Sequence, residues 1–201
     1  PQTPLEEVKR GGVSWLTFTL SQEDYEQYYS QFANGVLWPA FHYRLDLVNY
    51  TRDAWEGYLR VNRQIAGQLQ PHLAPEDIIW AHDYHLIPLA AALRAGGCQQ
   101  RMGFFLHIPF PAPAVFNALP TREALLKQLT AYDLIGFQTH SDCQAFLDGI
   151  AAWTSLSTDS GGVHSAWGRR FRTGVYPIGI APEEIATEAG KPLPAKMAQI
   201  K

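Results

Sequence analysis

The stretch DIIWAHDYH at residues 77–85 decides the fold class of this chain. It begins with a short apolar run, Asp77 to Ala81, of the kind that forms a buried strand, and it then changes abruptly to polar and aromatic residues. In an open α/β sheet, residues just past the carboxyl end of a strand face the ligand crevice. The residues predicted to lie in such a crevice are His82, Asp83, Tyr84 and His85.

The same order, an apolar strand followed directly by polar residues, occurs twice more in the middle of the chain. Arg101 to Leu106 is predicted to be a second strand that ends at His107, and Leu134 to Phe137 a third that ends at residues 138–140, Gln-Thr-His. Helical segments separate these strands, and a further strand is predicted over Phe171 to Ile178. Alternating strands and helices build right-handed βαβ units. The sequence therefore predicts an α/β fold with a Rossmann-like, doubly wound parallel sheet.

The first part of the chain has a less regular pattern. Residues 1–12 are polar and are predicted to be loose, with a turn at Gly11-Gly12, and Val13 to Leu20 alternates imperfectly, which favours a strand. Ser21 is predicted to be the N-cap of a helix. Apolar residues at helical spacing predict an amphipathic helix within residues 50–70.

The composition limits the classes of function. Of the 201 residues, 46% are hydrophobic and 17% charged, which is enough apolar material for a sizeable core. A net charge of −3 does not favour binding to nucleic acids or to anionic membranes. No run of the sequence approaches the roughly 18 apolar residues that a membrane span requires. Cys98 and Cys143 lack a CxxC spacing, and the amino end lacks an apolar signal core. We therefore expect a soluble, cytoplasmic protein with no nucleic-acid or membrane partner.

Parallel strands place the three polar clusters at one edge of the sheet, so residues distant in sequence are predicted to converge. Three interpretations of their chemistry remain open. Asp83 or His107 could transfer a proton to or from a substrate. A metal site formed by His82, Asp83, His85 and His107 would lack any recognised ligand spacing. The histidines could also be hydrogen-bonded loop or core residues with no further role.

The aromatic residues Tyr28, Tyr29 and Trp38 allow two interpretations. Aromatic rings can pack against the apolar C–H faces of a sugar, and they can equally pack within a protein core. The glycine motifs of dinucleotide and P-loop sites, GxGxxG and GxxxxGK[ST], do not occur in the sequence, and neither does a serine nucleophile elbow.

Four longer motifs carry a specific resemblance. They read NGVLWPAFHYR at 34–44, IIWAHDYHLIPL at 78–89, GFFLHIPFPAPAVFNALP at 103–120 and VYPIGI at 175–180. Together they closely resemble the trehalose-6-phosphate synthase family, which are GT-B glycosyltransferases. The resemblance runs in the family's order from about Gly12 to the end of the chain.

The resemblance implies transfer of glucose from a nucleotide-sugar, typically UDP-glucose, to glucose 6-phosphate, with retention at the donor's anomeric carbon. By position, Tyr29, Trp38 and Asp83 are similar to acceptor-binding residues of that family. His107 is similar to the histidine that contacts the donor glucose, which makes His107 and Asp83 the candidate catalytic residues. No metal, cofactor or covalent nucleophile is implied, because the nucleotide-sugar is a co-substrate and catalysis there depends on positioning and electrostatics.

The resemblance also divides the chain. Residues 1–180 are similar to the N-terminal, acceptor-side Rossmann-like domain of a GT-B glycosyltransferase that lacks its first strand. Residues 181–201 are similar to the start of a connection to a C-terminal nucleotide-sugar domain, which the sequence does not contain. The family's cationic phosphate-binding residues lie in these missing parts, so the chain alone is expected to be weakly active or inactive. The uncovered cleft of such a half-enzyme favours formation of a homo-oligomer.

Two other classes of function use some of the same residues. A non-catalytic sugar-phosphate-binding or regulatory module would bind its ligand at the same half-site. A metal-dependent hydrolase would instead require a stoichiometric metal ion at the histidines.

Overall fold

Two strands near the amino end form an antiparallel hairpin. The computed structural model describes residues 5–191, and its first elements are β1 (Glu6–Arg10) and β2 (Val13–Thr17), joined at Gly11 and Gly12, which both have positive φ. The predicted turn and the strand at Val13 are confirmed. The prediction of a loose segment is wrong for Glu6–Arg10, because these residues pair with β2 from Glu6–Thr17 to Arg10–Val13. Both faces of β1 are exposed, so it lacks the apolar alternation that marks a strand. Residues 1–4 of that prediction lie outside the described residues.

A continuous helical region follows the hairpin. The helix α1 (Gln22–Tyr25) begins after Ser21, whose hydroxyl accepts a hydrogen bond from the amide of Asp24, and this confirms the predicted N-cap. The chain continues as a π-helical segment (Glu26–Leu37) and then as α2 (Trp38–Phe41). Because π-helical turns are rare and occur often at functional sites, the segment marks a region of interest.

The longest helix, α3 (Arg52–Leu69), packs against the π-helical segment and confirms the predicted amphipathic helix. Gly57 permits a close approach here, since a Cβ at this position would lie 2.4 Å from Cβ of Gln27. Arg60 of α3 forms an ion pair with the buried Asp24 at 2.7 Å. The ion pair joins α3 to the start of the helical region.

The main sheet has six strands within the described residues. In chain order they are β3 (Ile78–His82), β4 (Arg101–Phe105), β5 (Leu134–Phe137), β6 (Ser157–Thr158), β7 (His164–Ala166) and β8 (Arg169–Val175). Their spatial order is β3-β4-β5-β8-β7-β6. The first four in this order are mutually parallel, and β6 and β7 add an antiparallel hairpin at the side of β8. The predicted α/β fold with a parallel sheet is confirmed.

Helices connect the parallel strands and cover one face of the sheet. In chain order they are α4 (Leu89–Ala95), α5 (Pro113–Phe116), α6 (Arg122–Leu129) and α7 (His140–Ala151), and α8 (Pro182–Ala189) follows the last strand. Contacts from α3 to α4, α4 to α6 and α6 to α7 make one continuous layer. Among the large side chains buried in the core are Leu93, Phe104, Leu126, Tyr132, Ile135 and Phe146. Within residues 5–191, no helix is both long enough and apolar enough to cross a membrane.

The opposite face of the parallel strands is exposed in the described part of the chain. In β3, Ile79 and Ala81 are buried, whereas the alternate residues Ile78 and Trp80 are 72% and 67% exposed. A groove of about 700 Å³ runs along this face, and its lining includes Ile78, Trp80, Phe105, Leu134, Tyr176 and Ile178. Because parallel sheets are normally covered on both faces, this face is the most unusual surface of the fold.

The Asp24–Arg60 ion pair predicts a pH-dependent contribution to stability. Burial raises the pKa of Asp24, but hydrogen bonds from Gln64, Arg60 and Ser21 outweigh it and leave that pKa lowered. A lowered folded-state pKa stabilises the fold above the unfolded value of about 3.9, and this stability is lost as the pH falls further. We expect Asp24→Asn to lower the free energy of unfolding by about 1–2 kcal/mol at pH 7, and by less at pH 3.5, when measured by urea denaturation.

The exposed pair of Arg44 and Asp46, with atoms 2.8 Å apart, provides the matched control. Asp46→Asn should change the unfolding free energy little at either pH, because exposed ion pairs contribute weakly. An equal loss of stability in Asp24→Asn at both pH values would contradict the account.

Candidate functional site

The carboxyl ends of β3 and β4 lie side by side, as the strand pattern predicts. His82 pairs in register with Phe105, and the amide of Asp83 donates to the carbonyl oxygen of Phe105 at 2.8 Å. This register brings Asp83 next to His107 although 24 residues separate them in sequence. The convergence of these two candidate residues is therefore a consequence of strand pairing.

Asp83 has an unusual backbone conformation. Its φ of 70° and ψ of 167° fall in a region that is populated almost only by glycine. Its Oδ1 accepts hydrogen bonds from the amides of Tyr84 at 3.0 Å and His107 at 3.3 Å. No hydrogen bond reaches Oδ2 from any residue of the range 5–191. One carboxylate oxygen thus joins the two strand ends, and the other is available to a ligand.

Buried side chains hold the residues after Asp83 from behind. Residues 84–86 form one 3₁₀ turn, and each of its three carbonyl oxygens accepts a hydrogen bond from a side chain of the helical layer or the core. The side chain of Tyr58 donates to the carbonyl oxygen of Tyr84, that of Asn62 to His85, and that of Tyr132 to Leu86. Burial raises the pKa values of both tyrosines well above the usual range, so their hydroxyls stay protonated and continue to donate. Three hydrogen bonds, of which the one from Tyr58 is fully buried and the other two are partly buried, thus hold this loop from behind.

The side chain of Tyr84 connects this loop to the π-helical segment. Burial, aided by the negative charge of Asp83, raises the pKa of Tyr84 to about 12. Its hydroxyl therefore remains a donor at physiological pH and bonds to Oδ1 of Asn34 at 2.8 Å. This bond fixes the position of the π-helical segment relative to Asp83.

Aromatic rings form a wall beside Asp83. The ring of Tyr29 stacks on His85 with centroids 5.3 Å apart, and Trp38 lies 5.9 Å from Tyr84. Tyr29 and Trp38 are 40% and 46% exposed, whereas Tyr28 is buried in the core. The two interpretations of the aromatic residues thus apply to different residues, with Tyr28 packing in the core and the other two available to a ligand.

His85 supports this wall and is not free to titrate like a surface histidine. Burial lowers the pKa of His85, although the charge of Asp83 opposes the effect. The ring is consequently neutral at physiological pH, and its buried Nε2 has no hydrogen-bond partner in residues 5–191. A neutral ring suits stacking against Tyr29.

His82 and His107 are hydrogen-bonded to each other. Nδ1 of His82 lies 2.9 Å from Nε2 of His107, and the two rings stack with centroids 5.2 Å apart. Both side chains are exposed, and both line the groove on the sheet face. Sequence analysis grouped His82 with His107 only as possible ligands of one metal site, and the direct hydrogen bond between them could not be foreseen without the strand register.

In the third predicted polar cluster, residues 138–140, the side chains of Gln138 and Thr139 bond to backbone amides. Oε1 of Gln138 accepts the amide of Ile178 at 2.9 Å, and Thr139 is the N-cap of α7. Sequence reasoning did not single out Asp142, which is buried and accepts the amide of Phe110 at 3.0 Å. Asp142 thereby anchors the proline-rich loop after His107, and its place three residues after a capping threonine was the available signal.

The interpretation of the histidines as metal ligands gains no support from the geometry. In the range 5–191, no three His, Cys, Asp or Glu side chains are arranged so that they could hold a metal ion. The site instead offers a carboxylate oxygen, imidazole nitrogens and exposed aromatic rings. This combination fits a ligand that has both hydroxyl groups and apolar faces, such as a sugar.

Comparison with known proteins agrees with this chemistry. Trehalose-6-phosphate synthase from Cronobacter sakazakii is 60% identical over 198 residues, which are 98% of this chain and 42% of that protein. An E. coli structure bound with UDP-2-fluoro glucose is 58% identical and superposes with a TM-score of 0.93 over 98% of this chain and 44% of its own. The Burkholderia xenovorans alpha,alpha-trehalose-phosphate synthase in complex with glucose-6-phosphate is 48% identical, with a TM-score of 0.90 over 98% of this chain and 45% of its own.

The chain thus spans less than half the length of these relatives. The model of glycosyltransferase family 20 matches residues 2–201, which is nearly the entire sequence. This chain belongs to glycosyltransferase family 20.

Proposed function

We propose that this chain is the acceptor-side part of an enzyme that transfers glucose from a nucleotide-sugar to glucose 6-phosphate and forms trehalose 6-phosphate with retention. UDP-glucose is the proposed donor. The observation that carries the proposal is the convergence of Asp83, His107, Tyr29 and Trp38 at one edge of the sheet. The relatives with bound UDP-2-fluoro glucose and glucose-6-phosphate support the choice of substrates.

Each of the four residues has a distinct proposed role. Oδ2 of Asp83 accepts a hydrogen bond from a hydroxyl of the acceptor, and such a bond to a charged group is stronger than a neutral one. The rings of Tyr29 and Trp38 pack against the C–H faces of the acceptor sugar. His107 contacts the donor glucose from the neighbouring strand end. The four side chains thus position both sugars at one strand edge.

The proposed reaction requires no nucleophile from the protein. The hydroxyl at the anomeric carbon of glucose 6-phosphate attacks the anomeric carbon of the donor on the face from which the nucleotide leaves. The new glycosidic C–O bond replaces the C–O bond to phosphate, and the departing phosphate takes the proton of the hydroxyl. The contribution of this chain is to orient the reacting atoms and to stabilise the charges.

We propose that residues 1–180 form the acceptor-side domain and that residues 181–201 begin a connection to a nucleotide-sugar domain. The helix α8 supports this division, because none of its residues is buried and Ile185 is 55% exposed. A short helix with no packing partner gains little stability by itself. Residues 192–201 lie outside the described part of the chain. Without the cations that bind the diphosphate, these 201 residues alone are expected to transfer glucose weakly or not at all.

We also propose a cytoplasmic location, which the two cysteines support. Cys98 is buried and Cys143 half-buried, and neither is in a disulfide. Unpaired thiols suit a reducing compartment.

The conformation of Asp83 supports a functional role for this residue. A non-glycine residue at this φ and ψ costs about 1–3 kcal/mol, and such strain is retained mainly at functional sites. Glycine would avoid the strain but could not supply the carboxylate. Aspartate at this position therefore lowers the stability of the fold, but it supplies Oδ2, the oxygen that we propose binds the acceptor.

The direct test is calorimetric titration of glucose 6-phosphate into this chain and its Asp83→Asn variant. Asparagine keeps an acceptor for the amides of Tyr84 and His107 and tolerates positive φ, but it removes the negative charge. Loss of a hydrogen bond to a charged group costs about 1.5–3 kcal/mol, so the dissociation constant should rise by about tenfold or more.

Asp77→Asn is the matched control for this titration. Asp77 precedes the amino end of β3, and its carboxylate also accepts a backbone amide, that of Ala74 at 2.7 Å. The variant has the same change in charge and should bind like the unmodified chain. Equal binding by Asp83→Asn would contradict the assignment of Asp83 to the acceptor, and no binding by the folded unmodified chain would contradict a preformed acceptor half-site.

The strain at Asp83 predicts an inverted order of stability for two truncations. Asp83→Gly and Asp83→Ala both lose the carboxylate, but only glycine relieves the strain, so we expect the glycine variant to be more stable by about 1 kcal/mol in urea denaturation. At the exposed Asp148 within α7, the alanine variant should be the more stable one, as is usual in helices. If the alanine variant were the more stable one at position 83 as well as at position 148, Asp83 would not be strained.

We propose that the isolated chain forms a homo-oligomer through the exposed apolar face of β3, β4 and β5. Trp80→Lys should shift the population towards the monomer in sedimentation velocity, because it places a charge in the lining of the groove. Trp15→Lys is the control, since Trp15 is 58% exposed on the separate β1–β2 hairpin. A chain that stays monomeric at high concentration would refute the proposal.

A further inference from the structure

The hydrogen bond between His82 and His107 restricts where both imidazoles carry their hydrogens. Nδ1 of His82 and Nε2 of His107 are 2.9 Å apart, so one of these nitrogens donates and the other accepts. A neutral imidazole has one N–H and one acceptor nitrogen. The choice made at the shared bond therefore determines the state of the second nitrogen in each ring.

Two arrangements satisfy the bond. If Nδ1 of His82 donates, Nε2 of His107 accepts and the hydrogen of His107 lies on its Nδ1. If Nε2 of His107 donates, both rings carry the hydrogen on Nε2 instead. In either case the rings share one tautomer, and the two outer nitrogens have opposite character, one a donor and the other an acceptor.

The outer nitrogens are available to a ligand. Within residues 5–191, neither Nε2 of His82 nor Nδ1 of His107 forms a hydrogen bond. The rings are nevertheless held in place, since the ring of His82 also packs at a tilt against the ring of Trp80, with centroids 4.6 Å apart. His107 meets the ring of Phe105 edge-on, and its amide donates to Asp83. The pair is thus oriented by the same strand ends that orient Asp83.

We propose that His82 is a positioning residue that fixes the tautomer and ring orientation of His107. Together the two rings present a donor and an acceptor to neighbouring hydroxyls of a bound sugar. The identity of that sugar as the glucose of the donor rests on the proposed function. The coupling of the two tautomers rests on the geometry of the pair alone.

The test uses nitrogen-15 NMR of the imidazoles in the 201-residue chain at pH 8, well above the range in which free imidazole is charged. We expect His82 and His107 to show the same tautomer, that of whichever of the two arrangements is the more stable. His82→Phe keeps an aromatic ring beside Trp80 but removes the bond, so the spectrum of His107 should change to that of a tautomer mixture. His82→Asn places an amide near the original Nδ1 and should restore a single tautomer.

His72→Phe is the matched control, because His72 is an exposed histidine in the turn after α3 and should leave the His107 signals unchanged. Different tautomers for His82 and His107, or an unaltered His107 spectrum in His82→Phe, would overturn the proposal. Retained dispersion of the amide spectrum shows that each variant is folded.

A titration with UDP-glucose separates this proposal from the proposed function. UDP-glucose is added in large excess, because the cations that bind its diphosphate are expected to lie outside this chain. We expect it to shift the His107 nitrogen signals of the unmodified chain, with a severalfold weaker response in His82→Phe and recovery in His82→Asn. Correct tautomers with no response of His107 in any protein would refute the assignment of the donor sugar and leave the positioning by His82 supported. A response of equal strength in His82→Phe would refute the positioning role.

Discussion

The site depends on one carboxylate that joins two strand ends. Oδ1 of Asp83 accepts the amides of Tyr84 and His107, so β3 and β4 end in a fixed relation to each other. The backbone of Asp83 is strained at a φ of 70°, and the surrounding bonds to residues 84–86 keep it so. This arrangement determines where His107 lies, because its amide donates to Oδ1 of Asp83, and it leaves Oδ2 of Asp83 for a ligand.

The layers of the fold explain why the site is supported by hydrogen bonds on one side and open on the other. The helical layer covers one face of the sheet, and from it Tyr58 and Asn62 of α3 reach the carbonyl oxygens behind the site. The opposite face carries the exposed Trp80 and the groove that ends at His82 and His107. The carboxylate of Asp83 and the imidazoles of His82 and His107 thus lie between the hydrogen-bonded loop of residues 84–86 and the exposed apolar face of the sheet. A sugar, with its hydroxyls and its apolar ring faces, matches both kinds of surface.

The sequence predicted those features that depend on local pattern. Short apolar runs ending in polar residues identified β3, β4 and β5, and the rule for parallel strands then placed Asp83 and His107 together. Strand β1 was missed because Glu6–Arg10 has no apolar alternation. The π-helical segment was missed because no simple residue pattern distinguishes its hydrogen bonding from that of an α-helix. The His82–His107 bond and the Tyr84–Asn34 bond join residues 25 and 50 positions apart, and only the register and packing of whole elements determine such pairs.

The central claim is that the carboxylate of Asp83 receives a hydroxyl of glucose 6-phosphate while it holds the amides of Tyr84 and His107. The most direct measurement is a titration of the nitrogen-15-labelled chain with glucose 6-phosphate, followed by amide spectra. The account predicts that the amide signals of Tyr84 and His107 shift together along one binding curve, because both amides donate to Oδ1 of the carboxylate whose Oδ2 meets the ligand. Shifts confined to residues away from the carboxyl ends of β3 and β4 would contradict it.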